Sequence, residues 1–385
     1  MEGMMTIRVA AALLVGILAT ACGPKVQMQM IRAADVAVPS TVQTVAVIDR
    51  SGASNIGQGI LGVLEGALTG EAIGADTEGR RETVRGLREM LATSARFDVV
   101  QPSGIEREQS LFAREMSWRT ATKICRDAGC QGIVALEAFD SDTSDDVTQR
   151  QVERTDSNGR KYNATEWSVD RRTRVLTAWR IYQPDGQRIL DDLRDRTDRY
   201  SWTGRGDSRA QAMRNLPSQV ETVRLSAYRA GASYGRRIAP TPMLVYRSFY
   251  ARGKKSSELK LGKNYMRARD YEGAIRVYEG LAEHPESKVR GRAQFNLAVA
   301  EEAMGRFERS LTAARAAAVT LGNGRSRRYV VTVEQRIRER DRVQEQMAPP
   351  PEAEPTGPEM IQGPRRPATG EPTPPNDGTM TRPRP

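Results

Sequence analysis

Gly57-Gln58-Gly59-Ile60-Leu61-Gly62 fits the GxGxxG pattern that cradles a dinucleotide, and Asp140, Asp142, Ser144 and Asp146 space their oxygens as the start of a calcium loop does. Neither pattern carries its chemistry through. A dinucleotide site needs its first glycine at a strand end and an acidic residue closing the next strand. Here eight residues separate Ile48 from Gly57, and Asp76 precedes a helix, so a Gly-rich loop or small-residue packing is the plainer account. A calcium loop needs Gly at position six and Glu at position twelve. Asp145 and Gln151 stand there, which leaves a solvated acidic loop. The one histidine, His284, precedes Pro285 with no nucleophile indicated near it, and no G-x-S-x-G occurs. Asp191 and Asp192 lie among Arg188, Arg194 and Arg196, where salt bridging on a strand surface accounts for them. The sequence therefore assigns no catalytic residue, no cofactor and no metal site, and the expectation is a protein that is not an enzyme.

Cys22 is the residue whose surroundings are most specific. Arg8 precedes the 13-residue apolar run from Val9 to Ala21, and Cys22 follows at once. The run is short of the roughly 20 helical residues that span a bilayer core of about 30 Å, and it matches a signal-peptide hydrophobic region. Leu18-Ala19-Thr20-Ala21-Cys22 resembles a bacterial lipobox. The resemblance implies cleavage after residue 21 and acylation of Cys22 by palmitate-type chains, with residues 1–21 as the signal peptide. Gly23 in the next position favours the outer membrane, with the protein facing the periplasm. In that compartment disulfides persist. Cys125 and Cys130 have the separation of a bridge at a helix-to-strand junction; the competing reading is that Cys130 merely opens a buried strand. A C-x₄-C pair without further Cys or His is not a zinc site.

The charge is 59 Lys+Arg against 48 Asp+Glu, a net +11. The stretch 348–385 holds four Arg and five acidic residues, so it carries −1 and the rest of the chain +12. A periplasmic anchor removes nucleic acid as a partner, and acidic residues interleave with most arginines, so a mixed solvated surface is the favoured account. The 51 arginines against eight lysines are what a G+C-rich coding sequence would give.

Residues 22–41 lack evident periodicity and are expected to be a tether. Val42 to Ile48 reads as a buried strand, about Thr77 to Ser94 as a helix burying Val84, Leu87 and Leu91, and Phe97 to Val100 as a short strand. A helix with Trp118, Ala121, Ile124, Cys125 and Ala128 on its repeat stops at Gly129, and Gly132 to Phe139 is another strand. Strands alternating with helices predict an α/β domain over 42–252. From about 147 to 202 the period becomes two, and turn signals at Asp156–Gly159 and Pro184–Gln187 predict an antiparallel hairpin extension. Ala210 to Ile238 predicts a long helix kinked at Pro217.

Residues 253–347 carry a different pattern. Leu261-Gly262-x₂-Tyr265, Ala274 and Tyr278 supply the small and large residues of a tetratricopeptide (TPR) helix pair, and Leu297-Ala298, Gly305, Phe307 and Ala314 repeat it 36 residues on. Val330, Val333 and Ile337 mark a capping helix. This all-α segment is followed by 348–385, where 12 prolines in 38 residues predict a disordered tail. The first helices of successive TPR units line a concave face, so Lys260, Lys263, Asn264 and Arg267, with Asn296 in the second unit, are the candidate protein-binding residues. Their types suit an acidic segment or a terminal carboxylate.

Val45 to Ser51 (VAVIDRS), Leu64 to Gly74 (LEGALTGEAIG), Arg96 to Val100 (RFDVV), Arg236 to Pro240 (RRIAP) and Tyr246 to Tyr250 (YRSFY) carry a wider resemblance. From about Val42 to Ala318 the chain resembles a family of uncharacterised bacterial outer-membrane lipoproteins that join a lipobox, an N-terminal α/β domain and C-terminal TPR helices. The α/β part also resembles, more distantly, the periplasmic domain of the curli secretion lipoprotein and the N-terminal domain of the Tol-Pal propeller protein. The resemblance implies architecture and compartment, and no catalytic residues. The expected function is a lipid-anchored scaffold for protein partners of the cell envelope. The alternative is an oligomeric component of an envelope export or assembly system.

Overall fold

The computed structural model describes residues 24–52, 75–105, 107, 112–251 and 257–350. The signal segment with Cys22, the stretch Gly57–Gly62 and nearly all of the Pro-rich 348–385 lie outside the described residues.

The chain begins with a finding that the tether reading did not contain. Residues 25–32 form strand β1 (Lys25–Arg32), which pairs antiparallel along its whole length with the late strand Thr241–Ser248. Val26 and Met28 alternate with Lys25, Gln27 and Gln29, and the apolar set is buried. Period two was there to be read; its partner is more than two hundred residues away.

Strand β2 (Thr44–Asp49) has Val45, Ala46, Val47 and Ile48 all buried, as a strand covered on both faces must. It lies between β3 (Asp98–Val100) and β4 (Gly132–Thr155), parallel to both. Strands β5 (Lys161–Gln183) and β6 (Arg188–Gly206) continue the sheet antiparallel, giving the order β3-β2-β4-β5-β6. The two hairpins turn at Gly159 and Gly186, whose φ values of 78° and 79° suit glycine. Helix α1 (Ala75–Ala92) follows β2 and α2 (Trp118–Ala128) follows β3. The predicted kinked helix is instead two helices, α3 (Arg209–Arg214) and α4 (Gln219–Ile238). Pro217 has no N–H to carry a helix onward, and Ser218 restarts it by accepting from the Glu221 N–H.

Helices α1 and α4 cover one face of the sheet, where Leu87, Leu91, Ala227 and Tyr234 pack on Val45, Val47, Leu136 and Trp179. Helix α2 covers the other face, with Ala121 and Cys125 against Ile48, Ile133 and Tyr182. A register shift between Leu136 and Ala138 marks a bulge in β4. It restores Phe139 to the α1–α4 side and leaves Glu137 as the extra residue.

Strand β7 (Thr241–Ser248) leads into a helical segment: α5 (Ser257–Ala268), α6 (Tyr271–Leu281), α7 (Ser287–Ala303), α8 (Phe307–Leu321) and α9 (Gly324–Gln346). Each helix packs on the next. Gly262 lies against Tyr278 so closely that an added Cβ would meet the ring at 2.4 Å. The core of this segment includes Tyr278, Phe295, Ala298, Ala314 and Val333, and also takes in Val26, Met28 and Phe249 from the β1–β7 ribbon.

Candidate functional site

Four of the five candidate binding residues share one helix. On α5, Leu259, Gly262 and Met266 are buried, and the adjoining stripe holds Lys260, Asn264 and Arg267 exposed and Lys263 half-buried. At positions i, i+3, i+4 and i+7 of the helix, the four share one face.

Asn296 is not part of it, and this corrects the sequence reading. It lies fully buried on α7, where its Oδ1 accepts from the Tyr250 N–H at 2.7 Å and its Nδ2 donates to the Tyr250 carbonyl at 2.8 Å. Both halves of the amide are thus spent on the backbone that follows β7. Tyr250 stands edge-on to Phe295 at 5.2 Å, and the Arg325 guanidinium lies 4.2 Å from its ring centroid. The helix face expected to receive a partner at Asn296 is filled by the chain's own Phe249 and Tyr250.

A second anchor of the ribbon is ionic. Glu302, buried on α7, accepts from Arg247 of β7 at 2.8–3.1 Å through two nitrogens and from the Tyr329 hydroxyl at 2.6 Å. Burial opposes the Arg247 cation, yet the Glu302 bonds hold its pKa above the usual guanidinium value. Burial drives the Tyr329 phenol well above the ordinary tyrosine range.

In the sheet, the polar groups gather at the carboxyl ends of the parallel strands. Arg50, one residue past β2, donates to both oxygens of Glu137 at 2.9 Å, and the Tyr182 hydroxyl donates to the same carboxylate at 2.6 Å. Arg180 approaches Glu137 at 3.9 Å and donates to Asp192 at 3.1 Å. Burial pushes the Glu137 carboxyl above its usual range, opposed by Tyr182, Arg50 and Arg180. The two arginines also donate to the carbonyls of Arg114 and Ala113 at 2.9 and 3.0 Å, so the cluster fastens the segment before α2 onto the sheet. Beside it lies a cleft of about 770 Å³ lined by Arg50, Gln101, Met116, Ser117, Thr120 and Lys123. It lies where α/β sheets place ligands, beyond the carboxyl ends of strands whose order reverses.

The remaining candidates sort simply. Asp140, Asp142, Ser144 and Asp146 lie along β4, with Asp146 paired to Arg172 at 3.7 Å. Their period-two spacing is that of a strand. Among the described residues no three His, Cys, Asp or Glu side chains gather as metal ligands. Asp191 and Asp192 point apart, the first to Arg237 and Tyr234, the second to Arg180 and Arg194. Cys125 and Cys130 are bridged, with Cα atoms 4.5 Å apart, and Gly129 between them takes φ 69° as the cap of α2. Closing so short a loop removes unfolded-state entropy equivalent to about 2 kcal/mol. Reduction is expected to remove that stability and so lower the melting temperature, and identical melting with and without reductant would contradict it.

Sequence reasoning passed over Glu137 and Glu302. The available signal was a charged residue inside an apolar run, in GIVALEAF and AVAEEAMG. A buried carboxylate there demands a cationic partner, which period counting does not supply.

Among the described residues no helix is long and apolar enough to cross a membrane. The architecture is a sheet-rich N-terminal region followed by a helical C-terminal segment. The chain belongs to the family described as a domain of unknown function (DUF8603), whose model matches residues 42–250, more than half of its length. A second model, domain of unknown function (DUF6340), matches residues 260–338, from within α5 to within α9. Among curated proteins, none matches the chain.

Proposed function

We propose that this protein is a non-catalytic scaffold that binds protein partners of the bacterial envelope. In this reading Cys22 is acylated and holds the chain on the outer membrane, facing the periplasm. Residues 42–252 are an α/β domain, and α5 to α8 are two TPR-like units capped by α9. The exposed α5 stripe carries the proposal: Lys260, Lys263, Asn264 and Arg267 offer three cations and an amide on one helical face. An acidic segment or chain-terminal carboxylate is the partner chemistry that face fits, through charge-assisted hydrogen bonds. The reading needs no cofactor, metal or nucleic acid.

The test is crosslinked pull-down from envelope membranes with Lys263→Glu and Arg267→Glu combined. Salt-sensitive partners should be lost from the variant while its circular dichroism and membrane fraction stay unchanged. The same partners recovered by the variant would remove the stripe as receptor.

One observation favours the alternative, an oligomeric component of an export or assembly system. β6 is the outer strand of the sheet, paired with β5 alone. Its last residues are covered by α3, where Asn215 donates to the Arg205 carbonyl at 2.7 Å, and the strand before them is an edge of the kind that another strand can join. Size analysis separates the two, since a monomer supports the scaffold and a ring or large oligomer the assembly component.

A further inference from the structure

The geometry points to the outward face of the β1–β7 ribbon as the surface that lies on the lipid bilayer, an inference that rests on the acylated-Cys22 reading. The ribbon has two unlike faces. Val26, Met28 and Val245 point into the helical core, and Arg247 on the same side reaches Glu302. The opposite positions are Lys25, Gln27, Gln29 and Ile31 on β1, facing Ser248, Tyr246, Leu244 and Pro242 on β7. Ile31, Leu244 and Tyr246 there are 50%, 55% and 59% exposed. Ile31 lies diagonally across from Leu244, and Leu244 and Tyr246 are two residues apart on β7, so the three form one apolar row bordered by Gln27 and Gln29.

What covers the patch follows from where the chain goes next. Lys25 is three residues from Cys22, a reach of at most about 11 Å. The slack is smaller still, because the Phe249 N–H donates to the Pro24 carbonyl at 3.0 Å and fixes the chain from that point. Acyl chains on Cys22 would therefore hold the ribbon at the headgroups. Tyr246 is amphipathic in the way that suits this layer, with an exposed apolar ring and a hydroxyl that donates to Gln27 Oε1 across the ribbon at 3.4 Å. Lys25, on the same face and nearest the anchor, complements anionic headgroups.

The test uses the full chain with Leu244→Cys carrying a bimane fluorophore, reconstituted into vesicles of phosphatidylethanolamine and phosphatidylglycerol with nitroxide groups on some acyl chains. The comparison is Val319→Cys, 85% exposed on α8, labelled in the same way. Incorporation of an alkyne-tagged fatty acid, compared with Cys22→Ser, reads acylation separately. The expected result is an acylated chain whose probe at 244 loses most of its emission to the lipid nitroxides while the probe at 319 keeps its own. An acylated chain with an unquenched probe at 244, or with both probes quenched equally, overturns the proposal and leaves the anchor intact. A probe at 244 that is blue-shifted yet unquenched means that protein covers the patch, and also overturns it. Absence of acyl incorporation overturns the anchored reading and the proposal together.

Discussion

Gly231→Ala is expected to destabilise the protein by about 3 kcal/mol, although alanine is the better helix former by about 1 kcal/mol. Gly231 lies in the middle of α4, where a Cβ would stand 1.8 Å from the Thr83 carbonyl oxygen of α1. The obstacle is backbone, so no rotamer change relieves it. The reciprocal contact is as tight, with a Cβ on Gly86 of α1 meeting the Tyr228 carbonyl oxygen at 2.0 Å. The two helices touch through bare backbone at both points, and either substitution must push them apart. Separation would loosen Leu87, Ala227 and Tyr234 over the sheet, including the stack of Tyr234 on Trp179 at 4.6 Å. Gly280 in α6 supplies the control, because nothing lies within 4 Å of an added Cβ there. Gly280→Ala should be neutral or stabilise by up to about 1 kcal/mol. Denaturant unfolding of the two variants should give shifts of opposite sign. Equal shifts would mean that α1 and α4 do not pack through their glycines.

That contrast also shows what the sequence could and could not reveal. A glycine in a helical pattern reads the same at 231 and at 280; the difference lies in which helix comes opposite. Local signals were legible. Val84, Leu87 and Leu91 recur at helical spacing and are buried together, and Gly129 ends α2 in the left-handed conformation its position predicted. The antiparallel pairing of Arg172–Tyr182 with Arg188–Tyr200 follows from Pro184-Asp185-Gly186-Gln187. Each of these is decided within a dozen residues.

The misses are of the other kind. β1 escaped notice because Gln27 and Gln29 dilute its alternation and its partner strand begins at Thr241. The acidic run in β4 imitates a calcium loop because both place oxygens at every second residue; the pairing partner Arg171–Arg174 decides between them. Asn296 is a single type with two opposite uses. An amide on a helix face that recognises an extended backbone looks identical in sequence whether that backbone belongs to a partner or to Tyr250. Lys260, Lys263, Asn264 and Arg267 share a face without any distant partner, because all four lie within eight residues of one helix.

Glu302→Ala is expected to cost about 3–5 kcal/mol, the range for removing one member of a buried ion pair. The magnitude comes from what the carboxylate leaves behind. Arg247 loses all three of its bonds to Glu302, and the Tyr329 hydroxyl, buried beside it, loses its acceptor. Arg336, largely shielded at 3.9 Å from the same carboxylate, has a Nε already without a hydrogen-bond partner and a pKa lowered by burial. Arg247 and Arg336, which already repel each other, would then lose the anion they share, with Glu339 still acting on Arg336. A surface pair behaves otherwise: Glu308, bonded to Arg340 at 2.6 Å but exposed, should leave stability nearly unchanged on truncation, because solvent screens the pair. The position of Glu302 gives the prediction a second readout. It joins β7 to α7 and α9, so its loss should release the ribbon before the rest of the fold. Amide exchange at Val245 and Arg247 should accelerate more than exchange at Val47 or Ile133 in the sheet. Removing both charges together, as Glu302→Leu with Arg247→Met, should recover much of the loss, because an apolar pair of similar volume leaves fewer buried groups unsatisfied. If Glu302→Ala costs no more than Glu308→Ala, or if the double variant is as unstable as the sum of its parts, the ribbon is held by its apolar face and the ion pair is incidental.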